Sequence, residues 1–135
     1  MMRRILALTL ALAGGLSPAW AQDRDAIEAV IGSQLEAFVD RDIATAWSHA
    51  SPMIKGMFGT PSNFGMMVER GYPMVWDNAE RDFQELEGTE AQAMQKVFVR
   101  DAQGQGWFLL YEMIETPDGW KINGVRVLPA PELAA

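Results

Sequence analysis

The chain contains no cysteine and one histidine, and its 11 lysines and arginines are outnumbered by 18 aspartates and glutamates. Without cysteine there is no disulfide framework, thiol nucleophile or iron–sulfur cluster, and a single imidazole excludes a multi-histidine zinc site. A formal net charge of −7 argues against nucleic acid as a partner, because displacing condensed counterions from a phosphate backbone takes Lys and Arg. No Gly-x-Ser-x-Gly elbow, phosphate-binding glycine loop followed by Lys, Asp-x-Asp-x-Asp-Gly loop or His-Glu-x-x-His helix occurs. No metal site or cofactor is expected. The 135 residues suffice for one domain, which buries roughly two-thirds of the surface that its unfolded chain exposes.

What is present begins with a leader. Met1-Met2-Arg3-Arg4 is a positive start, Ile5 to Ala13 an apolar run, Gly14-Gly15 a breaker, and Ala19-Trp20-Ala21 a small-x-small cleavage site. This is the plan of a secretory signal peptide over residues 1–21, cut after Ala21. The apolar run is about half of the ~20 residues that span a bilayer, so no stable membrane anchor is expected. A periplasmic or secreted protein follows, with a single domain over 22–135. Removing 21 of the 135 residues leaves 114, and the loss of Arg3 and Arg4 moves the net charge from −7 to −9. An exported chain that forgoes disulfides must be held by packing.

From Asp25 to Asp40, Ile27, Val30, Ile31, Leu35, Phe38 and Val39 follow a helical rhythm, with Asp25 and Glu28 as a capping box. Asp42 can cap a short second helix whose Ile43, Ala46, Trp47 and Ala50 share a face. Ser51-Pro52 and Thr60-Pro61 each set a capping hydroxyl before a proline at the first helical position. The first of these helices ends at Gly59 and is expected to bury Ile54, Met57 and Phe58. The second runs to Gly71 with Phe64, Met67 and Val68 inward, and Gly71-Tyr72-Pro73 closes the helical half.

Beyond Pro73 the period shortens toward two. Phe83 to Glu87 reads as a polar edge strand, and Met94–Arg100, Trp107–Glu115 and Trp120–Leu128 as stronger strands. Asp101 to Gly106 and Thr116-Pro117-Asp118-Gly119 are turns, so the strands run antiparallel. Gly124 breaks the alternation between Ile122 and Val125 and suggests a bulge. Pro129 to Ala135 reads as a loose tail. Helices first and a meander second is an α+β plan: N-terminal helices packed on a curved antiparallel sheet, with a pocket between them.

The ending Asp118-Gly119-Trp120-Lys121-Ile122-Asn123-Gly124-Val125, after these helices, resembles the nuclear-transport-factor-2-like superfamily, the cystatin-like cone shared by ketosteroid isomerase and polyketide cyclases. A closer resemblance is to an exported bacterial family within it, domain-of-unknown-function 4864. It is carried by Gln34-Leu35-Glu36-Ala37-Phe38, Ala46 to Ile54, Phe58-Gly59, Phe64 to Val68, Tyr72-Pro73 and the Gly119 to Val125 strand, and so spans nearly all of the chain after the leader. The resemblance implies a cone with a pocket, and a homodimer through the sheet; it implies no particular activity.

Three residues are candidates for catalysis. His49 carries the only imidazole, at the edge of its helix's apolar stripe, and Asp42, nearly two turns away, is too distant to pair with it. A structural or solvent-facing His49 is therefore expected. An isomerase or cyclase would need a pocket carboxylate and a Tyr with shifted pKa values. Asp77, in a loop, and Tyr72 are the candidates, while Tyr111 and Glu112, adjacent on a strand, face opposite sides. Trp47, Phe58, Met67, Tyr72, Trp76 and Tyr111 are candidates to line a pocket for a small apolar ligand, with core packing as their alternative role. The expectation is a non-enzymatic binding or protein-interaction module, the isomerase or cyclase being the alternative.

Overall fold

The computed structural model describes residues 18–89 and 91–129. Residues 1–17 of the expected leader and 130–135 of the expected tail lie outside the described residues. Helix α1 (Pro18–Val39) is followed by α2 (Ile43–Ser48), α3 (Pro52–Phe58), α4 (Pro61–Gly71) and α5 (Pro73–Trp76). In α1, Ile27, Ile31, Leu35 and Phe38 are fully buried, each worth at most about 1.5–3 kcal/mol of apolar transfer. The helix begins a full two turns before Asp25, so the expected capping box lies in its interior. Pro18 suits a first turn, and no breaker separates it from Asp25. Val39, expected inward, is 45% exposed because α1 ends there.

The other caps form as their sequences specify. Asp42 accepts from the Thr45 amide, Ser51 from the Ile54 amide and Thr60 from the Asn63 amide. Asp42 also accepts the Thr45 hydroxyl hydrogen, and these two bonds hold its carboxyl below the usual carboxylate range. Gly59, at φ +79°, ends α3 in a conformation that disfavours a side chain. Met57, expected to be buried, is 66% exposed: α3 is a two-turn helix lying over an opening rather than against a filled core. Helix α5 goes beyond the expected end of the helical half, with Pro73 starting one further turn that buries Met74 and Val75.

Strands β1 (Asn78–Gly88), β2 (Gln92–Asp101), β3 (Gly106–Thr116) and β4 (Gly119–Leu128) form one antiparallel sheet in that spatial order. The edge position and polar character of β1 are as expected, and the strand is longer because it starts directly after α5. In β2, Ala93, Gln95, Val97 and Val99 are buried while the residues between them are half-buried. All five helices lie on that buried face. The Gln95 carboxamide donates to the carbonyls of Gln84 and Glu85 at 3.0 and 3.3 Å, the two residues that break the β1–β2 register, and so ties down a bulge.

The turns work through side chains. Asp101 Oδ1 accepts from the amides of Gln103 and Gln105, each at 2.9 Å, and Oδ2 accepts from the Trp107 indole at 2.9 Å. The indole bond, more than the amides, lowers the Asp101 pKa. Gly119, at φ +103°, completes the β3–β4 turn. A bulge falls where Gly124 suggested it: Glu112 pairs with Gly124 but Met113 with Ile122, leaving Asn123 extra. The outer edge of β4 is covered, because Ile122 donates to the His49 carbonyl and accepts from the Ser51 amide, both at 2.8 Å.

Candidate functional site

Between the helices and the bulged end of the sheet lies a cavity of about 390 Å³. Phe38 of α1, Phe64 and Val68 of α4, Val75 of α5 and Ile122 of β4 form its deep wall. Ile54, Met57 and Phe58 of α3 close one side, and Met57 marks the mouth by its exposure. The bulge at Asn123 interrupts the alternation of β4, and both Gly124 and Val125 border the space.

Three polar side chains belong to the wall. Gln34, 3% exposed, donates its amide hydrogen to the Ala46 carbonyl at 3.0 Å. Tyr72, between α4 and α5, donates its hydroxyl hydrogen to the Val125 carbonyl at 3.0 Å. Tyr111, at the centre of β3, is fully buried and its hydroxyl has no partner among the described residues. Desolvation by that burial pushes the phenol pKa up from its usual value. Among the described residues no carboxylate, ammonium, guanidinium or imidazole lines the cavity.

Of the sequence-based candidates, Phe58, Met67, Tyr72 and Tyr111 stand together in this wall. Trp47 and Trp76 do not. Trp47 meets Phe64 edge-on at 5.5 Å, and Trp76 packs on Phe38 at 6.0 Å, so both rings back the wall from outside. Asp77 is also outside. Its carboxylate accepts from the Arg41 guanidinium at 2.6 Å, the two side chains being 48% and 46% exposed.

Arg41 explains that placement. It ends α1 in the left-handed region at φ 59°, and its guanidinium also donates to the carbonyls of Phe38 and Trp76, both at 2.7 Å. The same group lies 4.2 Å from the centre of the Trp76 ring. Asp77 thus completes a clamp between the ends of α1 and α5 and does not face the space where a substrate would sit.

His49 is half-buried, with Nε2 2.8 Å from the Ser33 hydroxyl of α1. Burial, then the charges of Lys121 and Lys55, lower its pKa. It joins α1, α2 and β4 outside the cavity.

Sequence reasoning passed over Gln34, Phe38, Ile54, Phe64, Val68 and Val125 as wall residues, since each lies on an apolar stripe that reads as core. One signal was available. Gln34 is a carboxamide on the buried stripe between Ile31 and Phe38, and a polar group there needs a partner or a purpose.

The chain matches the family described as Domain of unknown function (DUF4864) over residues 20–135. No match was found among curated proteins. Among solved structures it is similar to a phospholipid-binding protein from Ralstonia solanacearum in complex with a phospholipid, with 17% identity and a TM-score of 0.40. The aligned part covers 80% of this chain and 75% of that one.

Proposed function

The chain belongs to the DUF4864 family, and from that premise we propose that it is an exported, non-enzymatic module whose cavity holds a small apolar molecule. The observation that carries this reading is the wall itself: about 390 Å³, within the range of small-molecule sites, lined mainly by apolar side chains and, among the described residues, without a carboxylate, amine or imidazole. The isomerase or cyclase alternative needs a carboxylate in that wall, and Asp77 is engaged by Arg41 outside it.

Export is supported by the charged start, apolar run and Ala19-Trp20-Ala21 site of the leader. Affiliation with the nuclear-transport-factor-2-like superfamily is supported by the order of helices and meander and by the bulge in the last strand. A homodimer through the sheet is supported by the face that the helices leave open, where the Phe98 and Phe108 rings meet at a tilt of 57° with centres 5.2 Å apart.

Binding of N-phenyl-1-naphthylamine, a neutral apolar dye, tests the cavity. The wild-type protein should enhance its fluorescence saturably. Val68→Phe and Val125→Phe, which fill the space from two elements, should each weaken binding at least tenfold. Unchanged binding in both folded variants would remove the cavity as the site.

A further inference from the structure

Helix α3 is apolar on nearly every side yet stands at the surface. Ile54 and Phe58, one turn apart, line the cavity, and Met53 and Met57, one turn apart on the adjacent face, are 53% and 66% exposed. Pro52 and Gly56 complete the outer side, where a Cβ at Gly56 would meet nothing within 4 Å. Lys55 is the only charged residue of the helix, and none of its residues is buried. Single exposed apolar side chains are ordinary, but a helix without a polar face ordinarily packs inside a protein or in lipid.

Charge is distributed to match. From Ile43 to Val68 the chain has no Asp or Glu, although these acids make up 18 of its 135 residues. The cavity wall adds none among the described residues, and Lys121 is held on the same side by its bond to the Ser48 carbonyl at 2.9 Å. The segment that carries the mouth therefore presents cations without acids in a chain of net charge −7. We infer that α3 docks the mouth of the cavity onto the surface of a lipid bilayer, with Met53 and Met57 entering the headgroup boundary and Lys55 reaching the lipid phosphates. The purpose of the contact, passage of an apolar molecule between bilayer and cavity without crossing water, rests on the binding reading above.

Size decides against a protein as the occupant. The 7 residues of α3, at about 1.5 Å rise and a width of about 10 Å, present roughly 100 Å², against about 800 Å² on each side of a standard interface. A bilayer requires only shallow insertion, about 5–10 Å deep. No described helix is long and apolar enough to cross a membrane, so the contact is superficial and reversible. Methionine side chains are unbranched and adapt to a fluid surface. Lys55, with Nζ 5.9 Å from the Trp47 ring centre, can lay its stem along apolar surface and keep its ammonium among the headgroups.

Flotation with mixed phosphatidylcholine and phosphatidylglycerol vesicles tests this on the form recovered after export, which lacks the apolar leader. The wild type should rise with the vesicles. Met53→Glu, which places an acid on the exposed face outside the cavity wall, should lower the vesicle-bound fraction about tenfold and leave affinity for the dye in solution unchanged. Val39→Glu, at a comparably exposed site at the end of α1, should leave both unchanged. A wild type that does not float, a Met53→Glu protein that floats as well as the wild type, or an equal loss in Val39→Glu would each overturn the inference. So would light scattering in which Met53→Glu separates a wild-type dimer, since a second copy would then be the occupant. If vesicles are bound through α3 but the dye is not bound in solution, the binding reading falls and the docking surface stands; if the dye is bound and vesicles are not, only the docking surface falls.

Discussion

The Ser51 hydroxyl donates to the Asn123 carboxamide oxygen at 2.7 Å, joining the N-cap of α3 to the bulge of β4 across a separation of 72 residues. Ser51 Oγ in turn accepts from the Ile54 amide at 3.2 Å, and Ser51 is 0% exposed. One side chain therefore starts the helix that closes the cavity and fixes that helix to the strand forming the opposite wall.

Ser51→Ala removes a cap and leaves the half-buried Asn123 carboxamide oxygen short of a donor. A loss of about 1–3 kcal/mol is expected, measured by urea denaturation. Dye affinity should fall with it, since α3 loses its attachment to β4. Asn123→Ala, which keeps the cap, should cost less than Ser51→Ala; an equal or larger cost would place the main role on the bulge and not on the cap.

His49 makes stability depend on pH with a defined sign. Its folded pKa lies below the unfolded value of about 6.5, so between the two the unfolded chain binds more protons. The stability it contributes is complete above about 6.5 and is lost as pH falls through the lowered folded value. Burial sets this first, followed by the charges of Lys121 on β4 and Lys55 on α3; the neutral Ser33 hydroxyl of α1 also faces the ring. Denaturation midpoints should drop between pH 7 and 5 in the wild type and change less in His49→Gln. Parallel curves would mean that other groups carry the dependence.

The open sheet face predicts a second copy as its occupant. Four strands at about 4.8 Å spacing and ten residues at about 3.3 Å rise present roughly 600 Å², close to one side of a standard interface of about 800 Å² per partner. Lys96 sits 4.9 Å from the Phe108 ring centre and Arg100 5.2 Å from that of Phe98, so the face carries aromatic rings beneath cations. Light scattering should give twice the chain mass for the wild type and the chain mass for Phe98→Glu with Phe108→Glu. A monomeric wild type at about 100 μM would remove the dimer.

Processing is read by mass. The proposed export predicts that protein recovered from outside the cytoplasm of its producing cell begins at Gln22. Trp20, on the leader side of the expected cut, packs against the core as part of α1, so the processed form should melt a few degrees below the full chain, roughly the effect of 1 kcal/mol in a domain of this size. A recovered mass that includes residues 1–21 would contradict the localisation.

Elements whose determinants are local were legible before the structure. The caps at Asp42, Ser51 and Thr60 and the turn at Gly119 depend on a few neighbouring residues, and each forms where the sequence put it. The start of α1 was not legible, because the Asp25 and Glu28 pair is compatible with both a helix start and a helix interior. Trp47, Trp76 and Asp77 illustrate the same limit in the site. Their residue types suit a pocket, but whether a side chain faces a cavity or backs its wall depends on the angle at which one helix crosses another.

By itself the sequence determined the class of the protein: no cysteine, one histidine and a helical half followed by alternating strands allow a packed α+β domain and exclude thiol and multi-histidine metal chemistry. The tertiary structure decided where chemistry could be sited. It placed Asp77 against Arg41, tied Ser51 to Asn123 and left the buried Tyr111 hydroxyl without a partner among the described residues. Periodicity reports which side of a strand a residue takes. Only the packing of distant segments fixes what stands opposite it, and therefore whether a buried polar group finds a partner within the protein.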